Sequence, residues 1–304
     1  MNQIPTVALP ERTVVLDGGM GRELYRRGVD IRGALWSAAG LLRAPDTVRE
    51  VHAEFIAAGA DVITTNSYGI IRTELAKEGL EGRFAELNEL ACRLAAEARA
   101  AAGRELLIAG ALPPLRGSYR PDLVGDFQDI EPLHREQAEL LAPHVDVLIC
   151  ETMSSAMEGL AAATAACATG LPVWVAWTLH EDRSGRLRSG ENVGKAAAQI
   201  EDLPVSALLV NCSAPESVSA AMSELKVLGS LPIGAYANAF RHVPEDHSLD
   251  GAGAGAGLLE LRDDLDPESY LDFAREWQAG GARIIGGCCG IGPAHIERLR
   301  QALA

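Results

Sequence analysis

Eight short apolar runs punctuate the 304 residues, at 13–19, 61–68, 105–113, 146–153, 172–180, 207–213, 232–239 and 282–289. Each ends in small or polar residues and is followed by a longer segment rich in Ala, Leu and Glu. The middle of each run is mostly apolar without strict alternation, as expected of strands covered on both faces. Strand and helix in steady succession imply parallel pairing through right-handed crossovers. Eight such units close naturally into a (β/α)8 barrel, and no linker-like composition divides them, so one α/β barrel domain over 1–304 is the expectation. The competing arrangement is an open doubly wound sheet, whose best support would be a phosphate loop directly after a strand. The glycine-rich run 251–257 lies well beyond the seventh apolar run and reads as a flexible connection instead.

The intervening segments carry helix punctuation. Pro45 and Asp46 open a helix over 47–58, where Val48, Val51, Phe55 and Ile56 make an apolar stripe and Gly59 ends it. Gly103 closes a second helix over 88–102, Gly280 and Gly281 follow a third over 267–279, and Pro293 opens a fourth over 294–303. Their Glu and Arg residues read as solvated outer faces.

In a barrel the chemistry sits at the C-terminal ends of the strands, so unusual residues ought to fall late in each run. Asp17, Gly18 and Gly19 close the first run; Thr65, Asn66 and Tyr68 close the second; Glu151 and Thr152 close the fourth. Asn211 and Cys212 end the sixth, Asn238 the seventh, and Cys288 with Cys289 the eighth.

The pair in Gly286-Gly287-Cys288-Cys289-Gly290 is the most informative of these. Neighbouring Cα atoms lie only ~3.8 Å apart, too close for an ordinary disulfide between them. Flanking glycines allow unusual dihedrals that turn both thiols toward one point, and a soft metal is the natural occupant of that point. The plainer reading of any single Cys is a small buried hydrophobe, which suits Cys92, Cys150 and Cys167 in their apolar or Ala-rich surroundings. Zinc needs more than two thiolates, and Cys212, between an apolar run and the helix-opening Pro215, supplies a third. Three protein ligands leave one position for water or substrate, the pattern of catalytic zinc. Zn2+ with three thiolates is a net monoanion, a weak Lewis acid toward water and a good partner for another sulfur.

Composition removes several alternatives. A formal charge of -15 argues against nucleic acid or an anionic membrane surface as partner. The N-terminus lacks the pattern of a signal peptide, and no apolar run is long enough to span a bilayer, which suggests a cytoplasmic protein. Six scattered cysteines do not suggest a disulfide framework.

Asp17-Gly18-Gly19-Met20, Leu35-Trp36-Ser37, Thr64-Thr65-Asn66-Ser67-Tyr68, Glu151-Thr152, Asn211-Cys212, Tyr236-Ala237-Asn238 and Gly286-Gly287-Cys288-Cys289-Gly290 occur in this order. Together they resemble the homocysteine S-methyltransferase family, from about residue 14 to residue 299. The resemblance implies a zinc-dependent barrel in which Cys212, Cys288 and Cys289 hold the metal and homocysteine sulfur takes the open position to attack a methyl group. It further implies that Asp17 and Glu151 hold the homocysteine ammonium, although either carboxylate would also serve as a cap for backbone donors. Gly18 belongs to the same substrate-binding turn, and Thr65, Asn66 and Ser67 would offer donors to the amino-acid carboxylate. Asn238 would orient the amino acid, or give an oxygen to zinc when substrate is absent. Trp36 is the candidate contact for a cationic methyl donor through its ring face, or else an aromatic plug beneath the first loop. His180 reads as a structural or donor-contact residue.

The expected partners are therefore small molecules, homocysteine and a methyl donor. A small sulfonium such as S-methylmethionine or S-adenosylmethionine is the favoured donor, with betaine or a methyl-corrinoid as alternatives. A non-catalytic zinc-binding or thiol-sensing protein needs the same cysteines but not Asp17 or Glu151.

Overall fold

The structure is a computed structural model that describes residues 6–7, 9–227, 231–248 and 257–304. Each apolar run contains a strand. These are β1 (Val14–Val15), β2 (Val62–Thr64), β3 (Leu107–Leu112), β4 (Val147–Met153), β5 (Val173–Trp177), β6 (Ala207–Asn211), β7 (Ile233–Ala237) and β8 (Ala282–Gly287). All pairings are parallel, and the sheet runs β1-β8-β7-β6-β5-β4-β3-β2. Closure comes from a Leu16–Val62 bridge, with Asp61 N donating to Val15 O at 2.7 Å and Asp17 N to Val62 O at 3.0 Å. The eightfold repeat is thus a (β/α)8 barrel, not an open sheet.

Apolar residues fill both faces of the strands. Val14, Leu16, Ile149, Trp174 and Ile284 belong to a core inside the barrel, while Val15, Leu148, Val175 and Ile285 join the layer under the helices. That division explains why the runs do not alternate in polarity.

The helix Pro45–Ala57 buries Val48, Val51, Phe55 and Ile56 as the stripe requires, each side chain contributing about 1.5–3 kcal/mol. His52 joins this buried face, and burial pushes its imidazole down to about 4, so it packs as a neutral ring. The other expected helices appear as Phe84–Ala101, Pro267–Ala279 and Pro293–Leu303, and Pro215 opens Pro215–Val227. Phe84–Ala101 begins four residues before the expected 88, because Asn88 turns its amide back to Phe84 O at 2.9 Å and stays inside the helix.

At the end of the barrel away from the special residues, the Asp61 carboxylate accepts from Arg12, Arg300 and Val15 N. This ties β1 and β2 to the last helix. Residues 251–256 of the glycine-rich run lie outside the described residues; Gly257, at its end, has φ +95°.

Candidate metal centre

The strand-end residues converge on one cavity of about 1040 Å3, including its open mouth, whose wall includes Asp17, Glu151, Trp36 and all three expected thiols. β8 ends at Gly287, and Cys288 and Cys289 form a turn in which Ile291 N donates to Cys288 O at 3.0 Å. Leaving the strand breaks the alternation of faces, so two adjacent thiols can address one point. Backbone bonds to the end of β7 fix the turn, from Cys288 N to Ala237 O at 2.9 Å and from Ala239 N to Cys289 O at 2.8 Å.

The glycines here serve proximity more than unusual dihedrals. A Cβ on Gly19 would lie 2.6 Å from Cys288 O and 2.9 Å from Cys289 Cα, and one on Gly287 would lie 2.2 Å from Ile291. Gly18 is likewise pressed against Ile291 O. Only Gly290 of the motif takes positive φ, at +88°.

Cys212 reaches the pair from β6. Its backbone is left-handed, with φ +45°, a conformation costing about 1–3 kcal/mol in a residue with a side chain. Bonds from Cys212 N to Tyr236 O and from Thr178 Oγ1 to Cys212 O hold it there. Next to it, the buried Asn211 amide makes two bonds of 2.9 Å to Thr152, accepting from its N–H and donating to its hydroxyl. Thr152 is itself left-handed, with φ +64°, and directly follows Glu151. Asn211 thus locks the β4 and β6 ends together across β5, fixing Glu151 relative to Cys212.

The three Sγ atoms lie within 4.8 Å of one another, with Cys288 to Cys212 at 2.7 Å. Thiolates ~2.3 Å from a common tetrahedral ion would sit about 3.8 Å apart, so one metal could bridge this set with small side-chain adjustments. The cluster therefore fits a metal by its donor chemistry and its spacing. Burial pushes the Cys212 thiol up. Cys289 is held well below the usual thiol range by hydrogen bonds from Cys212 and Cys288, with the buried Arg22 guanidinium adding to the effect.

Two carboxylates share the cavity. Glu151 is nearly buried, which pushes it up to about 8, and it accepts from Tyr236 Oη at 3.2 Å. Asp17 is pushed up to about 7 by burial, and both its oxygens accept from Thr64, at 2.7 Å from the backbone N–H and 2.6 Å from the hydroxyl. Asp17 therefore acts as the strand-linking cap that its position also allowed, while lining the same cavity.

The turn after β2 departs from the expected donor set. Thr65 Oγ1 accepts from Ala111 N and contacts Ser67 Oγ, whose hydroxyl donates to Ala111 O. Asn66 Nδ2 donates to Ser37 O at 2.9 Å, which leaves Asn66 Oδ1 buried with no protein donor. Asn66 lines the cavity, but its Oδ1 is buried and meets no donor among the described residues.

Asn238 is buried at the end of β7, with Oδ1 accepting from Phe240 N at 3.1 Å and Nδ2 3.9 Å from Cys212 Sγ. The Phe240 N–H fixes the amide orientation, so a donor faces the sulfur and the oxygen proposed for the metal faces away. Trp36 has φ +46°, and its indole lies against Gly21, where a Cβ would be 2.9 Å from the ring. His180 does not line this cavity; its Nδ1 accepts from Asp182 N at 3.2 Å.

Tyr119, Arg22 and His247 were not distinguished by sequence. Tyr119 places Oη 2.9 Å from Cys212 Sγ, His247 lines the cavity beside the Tyr119 ring, and Arg22 donates to Leu259 O. The available signal for Tyr119 was its position in the loop that leaves the C-terminal end of β3.

Known proteins resemble this chain over the full barrel. A family model described as homocysteine S-methyltransferase matches residues 14–303. The homocysteine S-methyltransferase of Escherichia coli strain K12 is 33% identical, with 94% of each chain covered. Homocysteine S-methyltransferase YbgG of Bacillus subtilis strain 168 is 30% identical, with 98% of this chain and 97% of the relative covered. The metallated crystal structure of the homocysteine methyltransferase MmuM from Escherichia coli matches with a TM-score of 0.79 at 32% identity, covering 96% of both chains. The chain belongs to the homocysteine S-methyltransferase family.

Proposed function

We propose that this protein transfers a methyl group from a small sulfonium donor, S-methylmethionine or S-adenosylmethionine, to the sulfur of homocysteine, giving methionine. The observation that carries the reading is one cavity with three convergent thiols at one part of its wall and a buried carboxylate, Glu151, at another. That pairing suits a small amino acid bearing both a thiol and an ammonium. Zinc is the metal best matched to three thiolates with an open position, and when bound it would favour the deprotonated form of an added thiol.

Glu151 is the principal partner of the substrate ammonium, because its carboxylate accepts from Tyr236 and has further acceptor capacity. An ammonium beside it would draw it into the ionised state that burial otherwise disfavours. Asp17 adds negative charge while anchored to Thr64, and Asn66 lines the same wall as a further polar residue of the substrate site. The side chains of Thr65 and Ser67 and the Thr65 N–H are engaged with β3, so the backbone N–H groups of Asn66 and Ser67 are the donors for the substrate carboxylate, with Gly18 on the same wall. Asn238 steadies Cys212 through its amide N–H. Trp36, on the same wall, offers a π face to a cationic donor, an interaction worth about 0.5–2 kcal/mol.

The whole chain acts as one homocysteine-binding barrel with small-molecule partners and without nucleic acid or membrane. Among the described residues no helix is long and apolar enough to cross a membrane. The cytoplasm, where thiols stay reduced, suits three free cysteines at a working site. Incubation with homocysteine and a panel of S-methylmethionine, S-adenosylmethionine and betaine, followed by detection of methionine, tests the assignment. Methionine from a sulfonium supports it. Turnover with betaine alone would replace the donor, and no turnover from a metal-loaded protein would favour a thiol sensor.

A further inference from the structure

Three polar contacts converge on the Cys212 sulfur. Tyr119 Oη lies 2.9 Å from Cys212 Sγ, Cys288 Sγ lies 2.7 Å away, and Asn238 Nδ2 lies at 3.9 Å. Once a metal has taken the thiol protons, Cys212 has nothing to donate, so the phenol must be the donor of that contact. Tyr119 is held for this orientation. Its backbone is left-handed, with φ +66°, directly after Gly117 and Ser118, and its ring is buried. The Arg188 guanidinium sits 5.4 Å from the ring centroid and is itself anchored to Val243 O and Pro244 O. His247 packs on the ring at 5.9 Å. A strained backbone, a cation on the ring face and a second ring all fix a hydroxyl whose contact is a metal-ligand candidate.

We propose that Tyr119 is a positioning residue that donates a hydrogen bond to the Cys212 thiolate and thereby sets both its orientation and how much charge it gives to the metal. The inference deepens the metal reading of the preceding section. Hydrogen bonds to a bound thiolate withdraw charge from sulfur and leave the metal more attractive to a further anionic ligand. Cys212 is then the least electron-donating of the three ligands, and the incoming substrate sulfur is favoured as the most electron-rich thiolate of the set.

The test uses Co2+ loaded into the full-length protein, with Tyr119→Phe as the variant. Phe keeps the ring between Arg188 and His247 and removes only the hydroxyl. The variant should bind Co2+ roughly 10-fold more weakly or worse in competition with a chromophoric chelator. Its thiolate-to-cobalt charge-transfer band should move to lower energy, while the thermal midpoint of the metal-free protein stays unchanged. A role in packing alone would lower that midpoint and leave the band in place, which would overturn the proposal. Difluorotyrosine at position 119 provides a second variant that retains the ring and strengthens the donor. It should move the band to higher energy, and an unmoved band would count equally against the role. Absence of any thiolate-to-cobalt band in the unmodified protein would remove the metal centre itself, an outcome distinct from the loss of Tyr119's part in it.

Discussion

Asn211→Ala perturbs the site without touching the cavity. The Asn211 amide is fully buried, and its two 2.9 Å bonds to Thr152 satisfy a backbone N–H and a hydroxyl that are themselves buried. Truncation strands both groups, at about 1–3 kcal/mol each, and opens a small void beside them. The sum is a loss of about 2–6 kcal/mol before the void is counted, a large part of the stability of a typical domain. The same bonds restrain two left-handed residues, Thr152 after Glu151 and Cys212 after Asn211 itself. Releasing them should let the carboxylate and the thiol drift apart, so metal affinity should fall and homocysteine KM should rise together. Urea denaturation, metal titration and steady-state kinetics on one preparation measure the three effects. Native stability in Asn211→Ala, or lowered stability with both ligands bound as before, would refute the role of this amide as the link between the two parts of the site.

Glu151→Gln should retain the metal and raise homocysteine KM by at least tenfold, since the neutral amide loses its charge pairing with an ammonium; unchanged KM would move that role elsewhere. For Trp36→Ala the expected defect is a higher donor KM with homocysteine KM unaltered, as read from initial rates with each substrate varied in turn. The metal-free protein should lose stability with rising pH. Glu151 titrates near 4.5 when unfolded and about 8 when folded, so between those values the folded state keeps a proton that the unfolded state has released. Asp17 adds to the trend between 3.8 and about 7. Each group contributes up to about 1.4 kcal/mol per pH unit within its window, and urea midpoints for Glu151→Gln should show a shallower slope.

The barrel was legible because a strand covered on both faces leaves a continuous apolar run, and eight of them contain β1 to β8. The thiol trio was legible for a related reason: in a closed barrel, sequence position at a strand end is also position in space. Hydrogen-bond commitments were not legible. Asp17 and Asn66 both line the cavity, yet Thr64 and Ser37 decide which of their atoms are engaged, and those partners come from the pairing of separate strand ends. Asn238 shows the same limit, since a single backbone N–H at Phe240 turns its oxygen from the metal side. The glycines around the cysteine pair were read as sources of unusual dihedrals. Gly290 alone takes one, at φ +88°, while Gly287 admits the Ile291 side chain and Gly19, at the end of β1, admits the Cys288 backbone at distances no Cβ would tolerate. Tyr119 was hidden because a loop residue gains significance only from what the barrel brings beneath it.

X-ray absorption at the zinc edge, recorded on the zinc-loaded protein before and after adding homocysteine, bears most directly on the claim that three cysteines hold an ion that receives the substrate sulfur. The account predicts one zinc per chain with three sulfurs at about 2.3 Å, rising to four with homocysteine, and one fewer sulfur or no zinc in Cys212→Ser. A count of fewer than three sulfurs, or a spectrum that homocysteine leaves unchanged, would contradict it.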